Sequence, residues 1–166
     1  MIVSTAAFPG VDPAASQILC MYRTHAPVDV VAIAVRFGIN VWESYLPEGI
    51  SGKIFRDDVN GGASGFSIIV NQPEPLVRKR FTLAHEIAHF LLHRHQFGRE
   101  LMDDALYRSG LGSAMESQAN RLAAEILMPR ELLGRLIDSG VRDIGTLATE
   151  LQVSEVALKI RLGIPA

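Results

Sequence analysis

Cysteine is nearly absent from this chain: Cys20 stands alone, so no internal disulfide can form, and a reducing compartment is the expected setting. A small apolar residue in a helical stretch is a simpler role for that thiol than a nucleophile. An excess of one charge is missing too. Sixteen basic side chains stand against eighteen acidic ones, a formal net charge of -2, which gives no overall pull toward nucleic acid or an anionic membrane. The most apolar run, 28–41, is interrupted by Asp29 and Arg36, too short and too broken to span a bilayer. No basic leader followed by an apolar core opens the chain, so a cytoplasmic protein with no membrane partner is expected. Repeats, low-complexity tracts and long linkers are also lacking. What is present, 166 residues with 48% hydrophobic and 20% charged content, suffices for one real core and a small appendage.

Along the chain, residues 1–10 read as a loose lead-in. From Asp12-Pro13, a capping residue followed by proline at the first helical position, a helix is expected to about residue 23. A short helix follows within 26–38, stopped by Gly38, with Val31, Ala34 and Val35 as its core face. The pattern then changes to three short segments rich in β-branched and aromatic residues, 39–45, 50–56 and 65–70. Turn signals at 47–49 and 60–62 separate them. These read as neighbouring antiparallel strands, giving an α+β chain with a small, largely antiparallel three-stranded sheet packed on helices. Beyond residue 112, Ser113 with Glu116 has capping-box spacing for a helix that stops at Pro129. More helices follow residue 130.

The chemistry concentrates in 80–93, RFTLAHEIAHFLLH, where four of the five histidines fall between positions 85 and 95. With no Gly or Pro the stretch reads as one helix, and its 3.6-residue period puts His85 and His89 on one face, about 6 Å apart in rise. Glu86 lies on an adjacent stripe. Two neutral nitrogen ligands and a carboxylate that can take a proton from water are what a zinc hydrolase needs. Chance alone would place His-Glu-x-x-His in roughly one chain in a hundred of this composition, so context matters. Phe81, Ala84, Ala88, Leu91 and Leu92 form an apolar stripe for the core, leaving the histidine face without a packing role.

A zinc site needs a third protein ligand. His93 lies eight residues from His85, about 12 Å along the axis, too far for both to reach one ion, and His95 is no nearer. Glu116 and Glu125 share the following helix on opposite sides, so only one can face the site. Small residues Ala119, Ala123 and Ala124 accompany Glu116 and would permit close helix approach. Glu116 is therefore the expected ligand, with Asn120 one turn on as a residue that orients the site. The competing role for Glu116 is that of a capping-box residue only. Glu125 is expected to pair with an arginine such as Arg121 or Arg130.

Residues 78–93, RKRFTLAHEIAHFLLH, followed by 116–129, ESQANRLAAEILMP, resemble the ImmA/IrrE family of zinc metallopeptidases, over about residues 26–163. The resemblance implies a zincin-like fold and a gluzincin-type site in which the glutamate opening the second motif is the third ligand, here Glu116. It also implies cleavage of helix-turn-helix repressors or antitoxins, in stress response or mobile-element control. With Zn2+ bound, Glu86 would be the catalytic base. His93, Tyr107 and Arg108 are candidates for oxyanion stabilisation or substrate contact. An extended substrate would pair with an exposed sheet edge, expected at 65–71.

The division expected is a metallopeptidase domain at 1–130 and a helical segment at 131–166. Within the latter, 143–151 and 154–162 read as two helices joined by a tight turn, similar to helix-turn-helix elements. Yet 141–166 sets Arg142, Lys159 and Arg161 against Asp143, Glu150 and Glu155, leaving no footprint for phosphates. Packing or substrate docking is the expected role, and DNA binding is not. The rivals to a peptidase are a DNA-binding regulator and a zinc-stabilised toxin/antitoxin interaction module with little peptidase activity.

Overall fold

The computed structural model describes residues 8–96 and 112–165. Helix α1 (Pro13–Cys20) starts where the Asp12 carboxylate accepts the Ala15 N–H, with proline at its first position. Cys20 closes it and packs against the core as a partly buried residue. Helix α2 (Val30–Arg36) is capped in the same way by Asp29 on the Ala32 N–H. That cap sets the phase of the helix and corrects one expectation. Val30, Ile33 and Ala34 face inward, whereas Val31 and Val35 are exposed. Gly38, at φ +72°, then turns the chain into the sheet.

Strands β1 (Ile39–Ser44), β2 (Gly52–Arg56) and β3 (Phe66–Asn71) form one sheet in the order β1-β3-β2. The sheet is mixed. β1 runs parallel to β3, and β2 antiparallel to it, where a largely antiparallel sheet had been expected. The reason lies in the side chains. β3 carries Phe66, Ile68 and Val70, all buried, and even its Ser67 is fully enclosed, so it takes the centre. β1 and β2 are mostly half-buried or exposed and take the edges. Turn signals described the local reversals correctly but could not say which strand would be inserted between the other two. Asn71 pins the β1–β2 connection to the end of β3: its Oδ1 accepts the Leu46 N–H and its Nδ2 donates to the Ile50 carbonyl.

After Pro75 the chain enters helix α3 (Leu76–His93), which is enclosed by protein over most of its circumference. Ile87, Ala84 and Ala88 are completely buried. One side of α3 lies on the sheet and another on α4 (Gly112–Leu127), its most extensive helical neighbour. Helix α4 begins at Gly112, so Ser113 sits inside its first turn rather than ahead of it. Helices α5 (Arg130–Asp138), α6 (Ile144–Leu151) and α7 (Glu155–Leu162) complete the chain. Leu132, Leu147, Leu151 and Leu158 join the same buried cluster as the sheet. Arg80 of α3 ties the α6 end down, donating to the carbonyls of Gln152 and Val28. No described helix is long and apolar enough to cross a membrane.

Glycine matters where β2 meets α3. A Cβ at Gly52 would run into Thr82 Cγ2 and lie 2.8 Å from the Ile69 carbonyl oxygen. Gly52→Ala is therefore expected to destabilise the protein by about 1–3 kcal/mol. Gly134→Ala, inside α5 with no atom within 4 Å of the added carbon, should instead stabilise it by about 0.5–1 kcal/mol. Urea melts of the two variants check the contrast, and equal midpoints would contradict the close approach at Gly52.

Candidate metal centre

The α3–α4 contact brings together three side chains from two elements. His85 and His89 project one turn apart from α3, and Glu116 reaches them from the N-terminal part of α4. Buried Ala119 and Ala123 keep α4 free of bulk where the helices meet. Glu116 Oε2 lies 3.2 Å from His85 Nε2, and Oε1 lies 3.0 Å from His89 Nε2. The two Nε2 atoms are 3.0 Å apart. A tetrahedral ion with bonds near 2.0–2.1 Å would hold neighbouring donor atoms about 3.3 Å from one another. The spacing and the donor set of two imidazoles and one carboxylate therefore suit such an ion, and these residues can hold one. Glu116 is turned toward the histidines rather than serving only as a cap.

The electrostatics favour ligands over an ion pair. His89 is 2% exposed. Burial first, then the neighbouring His85 and His93, drive its pKa from the ordinary 6.5 down to about 2. His85 is also held below its usual value, because the cost of burying its charge outweighs the favourable Glu116 carboxylate. Both rings are thus neutral at physiological pH, the state in which imidazole nitrogen binds metal. The short approaches to Glu116 are then a convergence of donor atoms and not a salt bridge.

Each ring has a further partner. The Asn120 side chain, one turn along α4 from Glu116, hydrogen-bonds His85. His93, one turn along α3, has its Nδ1 2.9 Å from His89 Nδ1, and its Nε2 lies 3.0 Å from Gln118 Oε1. His93 is 2% exposed and lies behind His89, outside the walls of the cleft, so it is not placed to stabilise an oxyanion there. Tyr107 and Arg108 lie outside the described residues. His95 sits on the exposed 3-10 turn Arg94–Gln96. Glu125 is not one of the three convergent donors, and its charge acts on an arginine, Arg161. Gln118 was not foreseen. No helical spacing rule places a residue two positions from Glu116 on the same face, and it reaches His93 only because α4 crosses α3.

Beside His85 and Glu116 opens a cleft of about 720 Å³. His85, Glu86, Glu116 and Thr82 form its floor, and residues 49–53, ending in β2, form one side. Val156, Ala157 and Ile160 of α7 stand with Val77 and Phe81 of α3 on the other. Glu86 is 4% exposed, a carboxylate held at the base of the cleft next to the donors.

Residues 34–163 match the family described as the IrrE N-terminal-like domain, a peptidase family. The chain belongs to this family. As an IrrE N-terminal-like domain it is also similar in structure to a Mycobacterium tuberculosis transcriptional regulator, with a TM-score of 0.61 and 19% identity. The alignment covers 90% of this chain and 46% of that one, so the chain spans less than half the regulator's length. At this identity the likeness shows a shared fold. Among curated proteins none matches the chain.

The histidine shifts make the metal-free domain acid-sensitive. The native pKa values lie below the unfolded value near 6.5, so the unfolded chain binds more protons as pH falls. Stability is fully present above pH 6.5 and declines below it, by up to about 1.4 kcal/mol per pH unit for His89, with His85 acting in the same direction. Thermal melts of chelator-treated protein should show a lower Tm at pH 5.5 than at pH 7.5, and His89→Gln should flatten that slope. An unchanged Tm across this range would contradict buried neutral rings.

Proposed function

We propose that this domain is a zinc-dependent endopeptidase acting on a regulatory protein, with His85, His89 and Glu116 as metal ligands and Glu86 as the general base. The observation that carries this reading is the convergence of two neutral imidazoles and one carboxylate, of which His85 and Glu116 line an open cleft with His89 buried behind them, beside a second, buried carboxylate. Zinc held there would supply Lewis-acid polarisation of the scissile carbonyl and would acidify water toward a pKa of about 7. Glu86 takes the proton from the attacking water and hands it to the leaving amine. The enclosed position of Glu86 keeps its carboxylate close to the reacting groups and sheltered from bulk solvent.

The substrate is read as an extended segment. The edge expected for its docking, 65–71, is the centre of the sheet and already paired on both sides. Strand β2 is the edge beside the donors, and among the described residues it pairs with β3 alone. A peptide added along β2 would pass over Glu86 with backbone hydrogen bonds on one side and apolar contacts to α7 on the other. Val156 and Ile160, 69% and 75% exposed, supply those contacts. The exposed face of α7, the second helix of the helix-turn-helix-like pair, is thus turned to the cleft. Residues 1–130 then carry the metal and the base, and 131–166 supply a wall for substrate. Family membership supports a regulatory protein as the substrate, and we read that protein as one of the helix-turn-helix repressor or antitoxin class.

The zinc-loaded domain incubated with a helix-turn-helix regulator encoded beside it should cleave that regulator at a defined bond. Glu86→Gln should keep zinc and lower the rate by about 10²–10⁴-fold. Glu116→Ala should lose zinc, and full occupancy measured by metal analysis would overturn its assignment. Ile160→Asp should raise KM with zinc content and Tm unchanged. Cleavage that survives Glu86→Gln, or a tight salt-dependent DNA complex without cleavage, would favour the regulator reading over the peptidase.

A further inference from the structure

We propose that His93 and Gln118 are positioning residues that fix the tautomer of His89, so that its Nε2 presents a lone pair to the metal. The proposal rests on His89 being a ligand. Gln118 Oε1 can only accept, so at 3.0 Å from His93 Nε2 it requires the proton of His93 to sit on Nε2. The other nitrogen of that ring, Nδ1, is then an acceptor. It faces His89 Nδ1 at 2.9 Å, so His89 must donate from Nδ1. A neutral imidazole carries one N–H, so His89 is left with its lone pair on Nε2, which faces Glu116 Oε1 at 3.0 Å, two acceptors that a cation between them would satisfy.

The chain of three side chains has a direction, and only one direction serves a metal. Were the Gln118 amide turned over to donate, His93 would donate from Nδ1 and His89 would carry its proton on Nε2, blocking coordination. His89 and His93 are both 2% exposed, so bulk water cannot stand in for the contact between them. The exposed amide of Gln118 on α4 therefore sets the proton on a ring of α3 that it never touches. Metal-binding histidines are commonly oriented by a carboxylate or carbonyl on the far nitrogen. Here a second imidazole is interposed, which carries the orienting contact across the helix pair.

The test uses zinc alone and needs no substrate. Gln118→Leu keeps size and helix propensity but removes the acceptor, and Gln118 is exposed, so the fold should survive. Zinc affinity measured by competition with a chromophoric chelator should fall by about 10–100-fold in Gln118→Leu and be retained in Gln118→Glu, which can only accept. In metal-free protein carrying 15N-labelled histidine, the His89 proton should reside on Nδ1 in the wild type and Gln118→Glu, and should spread to Nε2 in Gln118→Leu. Equal zinc affinity and an unaltered His89 tautomer in Gln118→Leu overturn the proposal while leaving the ligand assignment standing. Absence of zinc uptake by the wild type overturns the ligand assignment and this proposal with it.

Discussion

A cluster of polar atoms enclosed between α3 and α4 constrains the rest of the molecule. His89 and His93 are removed from water, and Glu116, Gln118 and Asn120 of the facing helix supply partners for three consecutive histidines at four-residue spacing. An imidazole buried without a partner costs a few kcal/mol, so the two helices are held in register by polar pairing as much as by apolar packing. Sliding α4 along α3 by one turn would separate every one of these pairs at once.

That joint fixes where the cleft opens, and the sheet decides what borders it. Because β3 is the most apolar strand it occupies the centre, which leaves β2 at the edge nearest His85 and Glu86. Gly52 lets β2 approach Thr82 of α3 closely, so the strand edge lies directly beside the catalytic-type carboxylate. On the other side, Arg80 holds the α6 end against α3, and Arg161 of α7 donates to the Met128 carbonyl. These contacts seat the C-terminal helices so that Val156 and Ile160 face the cleft. Pieces with separate local origins are thus brought to one opening by three contacts to the same helix and its neighbour.

Much of this was legible from residue patterns. The Asp12-Pro13 start, the helical run through His85 and His89, and the capped C-terminal pair follow from local chemistry that tertiary packing does not override. That only one of Glu116 and Glu125 could face the histidines was also within reach, since residues nine apart on a helix cannot share a face. Other features were not legible. Two helices can be placed from periodicity, but the angle at which they cross is absent from either pattern, so Gln118 could not be connected to His93. The phase of α2 turned on whether Asp29 was its cap, and a one-residue difference there exchanges Val31 and Val35 for Val30 and Ile33.

By itself the sequence determined the donors: which side chains carry lone pairs, and that His85 and His89 must share a helix face, because helical spacing is a local property of the backbone. Tertiary structure alone decided the order of the strands, which strand lies beside the histidines, and the contact of His93 with Gln118. Those depend on which surfaces compete best for burial and on how helices distant in the chain cross, and neither quantity is written in any short stretch of residues.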